Sequence, residues 1–228
     1  MPLFVLGPSP SFPDPRFAGP GGLLALGGDL SPERLIAAYR QGIFPWYNEG
    51  DPILWWSPDP RFILEPCGLH VSRRLSRLLR QGRFSVTLDT CFPEVISRCA
   101  LVHRQHQGDT WLVDDMIRAY CRLAEPGFCH SVEVWEGGAL AGGLYGVSLG
   151  SGFFAESMFH HTANASKAAL VFLCRFLMDR GFTLLDCQVR TPHMETMGAR
   201  EVERGEFLNR LSLCLERPTL RGRWSDLM

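Results

Sequence analysis

None of the eight cysteines (67, 91, 99, 121, 129, 174, 187 and 214) falls in a CxxC pair. No apolar run reaches membrane-spanning length. The opening stretch MPLFVLGPSPSFPDP lacks the basic start and long apolar segment of a secretory signal. Scattered thiols without such a signal fit reduced side chains better than a disulfide framework, so a soluble cytoplasmic protein is expected, with no membrane partner. The formal net charge over 228 residues is only -1, so any contact with nucleic acid must come from a local patch.

Other absences bear on chemistry. Ser157, in AESMF, lacks the flanking glycines of a nucleophile elbow. His103 and His106, or His160 and His161, have no third ligand at helical spacing, and no metal is expected. Cys187 with His193 could be read as thiol and base, but a small buried thiol is the better reading.

What is present begins with 46% hydrophobic residues, enough for a substantial core. The first sixty residues are rich in Pro and Gly and hold one clear helix. Ser31 is its N-cap, Pro32 sits in its first turn, Leu35, Ile36 and Tyr39 are its buried face, and Gly42 stops it. The next stretch, GIFPWYNEGDPILWWSPDPRF, places three tryptophans among prolines and predicts a rigid loop structure, with Trp55 and Trp56 in the core. A small N-terminal domain is expected over residues 1–62 and a second domain over 63–228.

The second part reads as mixed α/β. SRRLSRLLRQG at 72–82 predicts a capped helix with Leu75, Leu78 and Leu79 on one face. Arg73, Arg77 and Arg80 recur on another, with Arg74 and Arg83 nearby and no acid among them. Helices are expected near 91–101 and 113–124. CHSVEVW, ALAGGLYGVSLG and GFFAESMF alternate as three strands of an antiparallel meander. ANASKAALVFLCRFLMDRG predicts a helix, and FTLLDC a strand after it.

Meander, helix, strand resembles the core of a GNAT acyltransferase with a mixed, largely antiparallel sheet. The turn that would carry glycines for the pyrophosphate of CoA reads HHTANASK, with none, so CoA is not indicated and no cofactor is expected.

In LLDCQVRTPHMETMGA (184–199) a strand runs straight into an acid, a thiol and an amide. Period-two alternation predicts that Asp186 and Gln188 share a face and Cys187 points the other way. Two polar groups on one face of a buried strand are either a satisfied core pair or a working site.

GGLLALGGDLSP, GIFPWY, DPILWWSPDPR, HSVEVW, GGLYGV, ESMF, NASKAAL and DCQ together resemble the bacterial leucyl/phenylalanyl-tRNA–protein transferases, over about residues 21–208. The resemblance implies an enzyme that moves Leu, Phe or Met from aminoacyl-tRNA to a protein with N-terminal Arg or Lys, marking it for degradation. A monomer is expected. Asp186, Gln188 and Glu156 are then the catalytic candidates: Asp186 to orient the acceptor amine, Gln188 to steer Asp186 or bind the ester, and Glu156 to supply negative charge. On their surroundings alone Trp46 and Trp111 fit either core or a stacking platform. The resemblance assigns both, with Tyr120, to the terminal adenosine of the tRNA. It places the aminoacyl side chain among Leu144, Phe153, Met158 and Leu185. Arg73, Arg74, Arg77, Arg80 and Arg83 are the candidates for tRNA phosphates. The chain departs from the family pattern at Asp109, inserted between Gly108 and Thr110, and at Ala155 and His160.

No covalent nucleophile is required, because an aminoacyl ester is already activated. A small-molecule N-acyltransferase or a non-catalytic RNA-binding module on the same fold are the competing readings. The first needs the missing phosphate loop. The second has no use for Glu156, Asp186 and Gln188 around an apolar pocket.

Overall fold

The structure is a computed structural model and describes residues 3–107 and 112–228, with the backbone alone for 103–107. The first part of the chain forms a four-stranded sheet, in the order β1 (Phe4–Leu6), β2 (Leu23–Gly27), β4 (Leu54–Trp56), β3 (Phe44–Pro45). Helix α1 (Pro32–Tyr39) is inserted between β2 and β3, and the Ser31 hydroxyl accepts a hydrogen bond from the Arg34 N–H at its start. Leu35 and Tyr39 are fully buried, as the apolar spacing predicts, and Ile36 is partly so. Gly42, with φ +70°, carries the turn after the helix, and a Cβ there would stand 2.5 Å from the Phe207 ring.

The stretch after Gly42 is more regular than a loop. β3 and β4 pair across it, Phe44 opposite Trp56 and Pro45 opposite Trp55. Trp55 is fully buried, whereas Trp56 is partly exposed and donates its indole N–H to the Trp46 carbonyl at 2.7 Å.

The larger sheet has seven strands, in the order β11 (Arg200–Val202), β5 (Arg61–Leu64), β10 (Leu184–Gln188), β9 (Gly152–His160), β8 (Ala139–Leu149), β7 (Cys129–Glu136), β6 (Ser85–Leu88). Strands β7, β8 and β9 are the expected antiparallel meander. β10 lies parallel to β9 and antiparallel to β5, so the sheet is mixed. The parallel pair needs a crossover, supplied by α5 (Ala165–Asp179), which buries an almost continuous apolar surface. Helices α2 (Arg73–Arg80), α3 (Phe92–Gln107), α4 (Asp114–Ala124), α6 (Pro192–Thr196) and α7 (Arg204–Leu215) complete the fold. Tyr39, Phe44 and Trp55 from the first part join Tyr145, Phe154 and Phe207 from the second in one apolar cluster. None of the eight cysteines is disulfide-bonded, and no helix among the described residues is long and apolar enough to cross a membrane.

The strand pattern fails at the end of β10. Along β10, Asp186 is opposite Ile63 and Gln188 is opposite Phe62, which leaves Cys187 as the extra residue of a bulge. Gln188 takes φ +56°, a conformation that costs a non-glycine residue about 1–3 kcal/mol. Alternation is lost there, so Asp186 and Gln188 part company. Asp186 turns into the core and meets Arg61 in a bidentate pair, Nε to Oδ1 at 2.8 Å and Nη2 to Oδ2 at 2.6 Å. Both side chains are essentially sealed from solvent. Arg61 also donates to the Gly42 carbonyl at 3.1 Å and lies against the Phe44 and Phe207 rings.

Removing one partner strands a buried charge. Arg61→Met and Asp186→Asn should each lower unfolding free energy by about 3–5 kcal/mol. Breaking the exposed Glu94–Arg98 pair of α3 should cost only about 0.3–0.5 kcal/mol. Denaturant unfolding measures all three, and equal midpoints for the natural and Asp186→Asn chains would remove Arg61–Asp186 from the structural argument.

Candidate active site

β9 and β10 pair from Leu184 opposite Gly152 to Asp186 opposite Phe154, and no further. β9 runs on to His160 while β10 ends at Gln188, so the two strands part. A cavity of about 410 Å³ lies at this fork. Ala155, Glu156, Ser157 and Met158 line it from β9, and Leu144 from β8. Cys187, Gln188 and Val189 line it from the other branch, with Thr191, His193 and Met194 beyond them and Phe44, Pro45 and Trp46 from the first part of the chain.

A second bulge aims the carboxyl at its floor. Tyr145 pairs with Ser157 and Gly146 with Ala155, leaving Glu156 as the extra residue. Gly146 is required opposite it, since a Cβ would stand 2.2 Å from the Phe154 carbonyl oxygen and 2.6 Å from the Phe153 ring. Glu156 Oε1 accepts from the Tyr39 hydroxyl at 2.7 Å and from Gln188 Nε2 at 3.0 Å. Its Oε2 is 2.9 Å from the Tyr120 hydroxyl, and the two phenol oxygens are 2.5 Å apart. Burial pushes the Glu156 carboxyl up to about 7, against the pull of the two phenols. Burial likewise raises both tyrosines well above the ordinary phenol range.

The expected residues divide accordingly. Glu156 and Gln188 meet at the floor, but Asp186 does not line the cavity, because Arg61 holds its carboxylate in the core. Its Oδ1 accepts the Gln188 backbone N–H at 3.0 Å, so it reaches the site only through the bulge it stabilises. Leu144 and Met158 form the apolar wall, while Phe153 and Leu185 are packed behind it in the core. Trp46, 41% exposed, offers a ring at the rim and tilts against Trp56 with centroids 5.8 Å apart. Tyr120 has no exposed surface on which a base could stack; its contribution is the hydroxyl on Glu156. Trp111, with the Asp109 insertion, lies outside the described residues, as do the side chains of His103 and His106.

Cys187, expected to face away, lines the cavity because the bulge turns it there. Burial and the Asp186 charge raise its thiol well above the usual range, which keeps it a thiol rather than a nucleophilic thiolate. His193 lines the same cavity, its basicity lowered by burial and then by Lys167 and His160. Ala155 is part of the wall, and His160 is exposed at the end of β9. Arg73, Arg74, Arg77 and Arg80 are exposed along α2. Arg83 differs from them in pairing with Glu136 of β7, an acid the spacing along α2 could not show.

Arg61 and Tyr39 were the functional residues missed. An arginine opening the apolar run RFIL is a signal, since a charge in a buried strand demands a partner. Tyr39 gave none beyond its place on the buried face of α1.

An apolar cavity where two parallel strands part, floored by an amide and a carboxyl with two buried phenols beneath, suits an enzyme that brings two substrates together. A transferase built on a mixed α/β core would have use for such an arrangement. Profiles of the leucyl/phenylalanyl-tRNA protein transferase and of that family's N-terminal domain match residues 63–212 and 28–59. The chain is 57% identical over 225 residues to a leucyl/phenylalanyl-tRNA–protein transferase of Desulfatibacillum aliphaticivorans, covering 99% of this chain and 97% of that one. It is 58% identical over 224 residues to that of Anaeromyxobacter sp. (strain Fw109-5), covering 98% and 95%. The chain belongs to the leucyl/phenylalanyl-tRNA–protein transferase family. Among solved structures, a GCN5-related N-acetyltransferase from Kribbella flavida is a distant likeness, 10% identical with a TM-score of 0.40 over 73% of this chain and 59% of that one.

Proposed function

We propose that this enzyme moves Leu, Phe or Met from charged tRNA to the α-amine of proteins that begin with Arg or Lys, acting as a cytoplasmic monomer and marking those proteins for degradation. The observation that carries the reading is the fork cavity, whose apolar walls meet a hydrogen-bonding floor at Glu156 and Gln188. The choice of Arg or Lys acceptors rests on the family resemblance.

In the reaction the amine nitrogen bonds to the ester carbonyl carbon and the carbon–oxygen bond to the ribose breaks. The proton lost by nitrogen ends on the ribose oxygen. An α-amine of ordinary pKa, about 7.7–8.0, is partly neutral near pH 7.5 and needs no strong base. Holding amine and ester together can contribute about 7–11 kcal/mol. Gln188 donates its NH₂ to Glu156, which leaves its carbonyl oxygen to accept a hydrogen bond from the amine. Asp186 is a positioning residue here: through the Gln188 backbone it fixes where that amide stands.

Leu144 and Met158 would face the aminoacyl side chain, with Phe153 and Leu185 stiffening the wall behind. Trp46, together with Trp111, would stack the terminal adenosine, a contact worth about 1–3 kcal/mol. Tyr120 would act from below, through Glu156. Arg73, Arg74, Arg77 and Arg80, exposed on α2 and with no ion pair among the described residues, suit phosphates of the tRNA body, and Arg83 less so, since Glu136 already holds it.

Mixing the enzyme with an Arg-terminated peptide and tRNA charged with Leu, Phe, Met, Ile or Val tests the reading. Leu, Phe and Met should transfer, and the β-branched pair about 10–200-fold more slowly, because their bulk begins one carbon nearer the ester. Equal rates for all five would count against a shaped cavity, and acylation from acetyl-CoA instead would favour the small-molecule alternative. Replacing both Arg77 and Arg80 with Ala should weaken tRNA binding and flatten its log–log salt slope by about 0.7–0.9 per lost contact. An unchanged slope takes α2 out of the interface.

A further inference from the structure

The floor of the cavity has a proton count that the roles above do not use. Three oxygen–oxygen contacts close a ring: Tyr39 to Tyr120 at 2.5 Å, Tyr39 to Glu156 Oε1 at 2.7 Å, and Tyr120 to Glu156 Oε2 at 2.9 Å. Each contact needs one hydrogen. The two phenols supply two, and a carboxylate supplies none. With Glu156 ionised, one edge would press two oxygen lone pairs together inside the core, where nothing else can separate them. The fourth contact, Gln188 Nε2 to Oε1 at 3.0 Å, already brings a hydrogen to Oε1. The missing hydrogen therefore belongs on Oε2.

We propose that Glu156 is carried as a neutral carboxylic acid closing a ring of three hydrogen bonds with Tyr120 and Tyr39, and that this ring positions the Gln188 amide with its carbonyl oxygen toward the cavity. The Oε2 hydroxyl donates to Tyr120, Tyr120 donates to Tyr39, and Tyr39 donates back to Oε1. Oε1, a carbonyl oxygen with two lone pairs, also takes the Gln188 N–H. Were Gln188 turned over, its oxygen would face Oε1 with no hydrogen between them. The amide is thus held in one orientation by groups that have no net charge.

The surroundings support a neutral acid. Asp186 of β10 and Arg61 of β5 face Glu156 as a closed ion pair, one pushing its acidity down and the other up. Tyr145 of β8 and Cys129 of β7 lie near it, both with acidities further weakened by burial and by Glu156. Cys187 and His193 line the cavity above it. The carboxyl's rise to about 7 is the direction that the ring requires. Because it is raised, the stabilisation that the ring gives is complete below the ordinary carboxyl range and is lost as pH climbs through about 7. This replaces the expectation that Glu156 offers negative charge to a cationic acceptor: the floor is built for the neutral amine.

The consequence for Gln188 rests on the transfer reading, but the ring does not, so the two are tested separately. Infrared spectra of the natural chain at pH 6 should show a carbonyl band of a protonated carboxylic acid that shifts in D₂O. The band should fade as pH rises through about 7 and be missing from Glu156→Gln. No such band in the natural chain overturns the proposal whatever the enzyme transfers. Glu156→Gln keeps a neutral donor at Oε2's place and an acceptor at Oε1's. It should transfer more slowly than the natural chain but about tenfold or more above Glu156→Asp, whose shorter, ionisable carboxyl cannot close the ring. Its rate should also follow the amine's titration without the break near 7. A Gln variant no better than the Asp variant, alongside a natural chain that has the band, overturns the positioning role. If the natural chain transfers nothing, the transfer reading fails and the band alone decides the ring.

Discussion

The fold converges on one buried ion pair. Arg61 reaches from β5 to Asp186 on β10, to the carbonyl of Gly42 after α1, and to the rings of Phe44 and Phe207. It thereby ties the N-terminal segment, the centre of the large sheet and α7 to one guanidinium. Such a pair adds little net stability over an apolar core of the same shape, because desolvation offsets attraction. Its value is in specification: β10 can sit in only one register while its acid has one cation to meet. Asp186 also accepts the Gln188 N–H, so the same carboxylate that fixes the strand fixes the bulge at its end.

Two bulges make a site out of a sheet. A regular β9 and β10 would send alternate residues to opposite faces, and no pair of adjacent residues could both reach the fork. The extra residue at Glu156 and the extra residue at Cys187 break that alternation on both branches. Gly146 makes room for the first, and the backbone of Gln188 is strained to permit the second. Both distortions sit where β9 and β10 stop pairing, beside groups that hold them.

Much of this was legible in the sequence. Period-two alternation gave the three meander strands, and Ser31 with Pro32 gave α1 almost to the residue. Asp186 and Gln188 stood out because polar residues in a buried strand must be used or paired, and the family resemblance added Glu156. What period-two reasoning could not show is where the period breaks, because a bulge depends on the partner strand. Asp186 therefore seemed to face the cavity and Cys187 the core, and the structure reverses both. Long-range pairing was equally hidden. Nothing local joins Arg61 to Asp186 across 125 positions, Arg83 to Glu136, or Tyr39 to Tyr120.

These pairings determine what the cavity can hold. Asp186 is neutralised by Arg61 before its charge can reach the fork, and the walls are Phe44, Leu144, Ala155 and Met158. With Glu156 neutral, as proposed, a charged side chain entering there would leave water for a region without a free countercharge among the described residues, at a cost of several kcal/mol. An uncharged, flexible or γ-branched chain would lose only its hydration shell and gain contacts with the thioether of Met158. On the proposed reading the apolar wall and the polar floor thus serve different substrates, the wall the aminoacyl side chain and Gln188 the incoming amine. Selectivity for apolar side chains and tolerance of variety among them would follow from the same arrangement, since such a wall excludes charge without specifying a single shape.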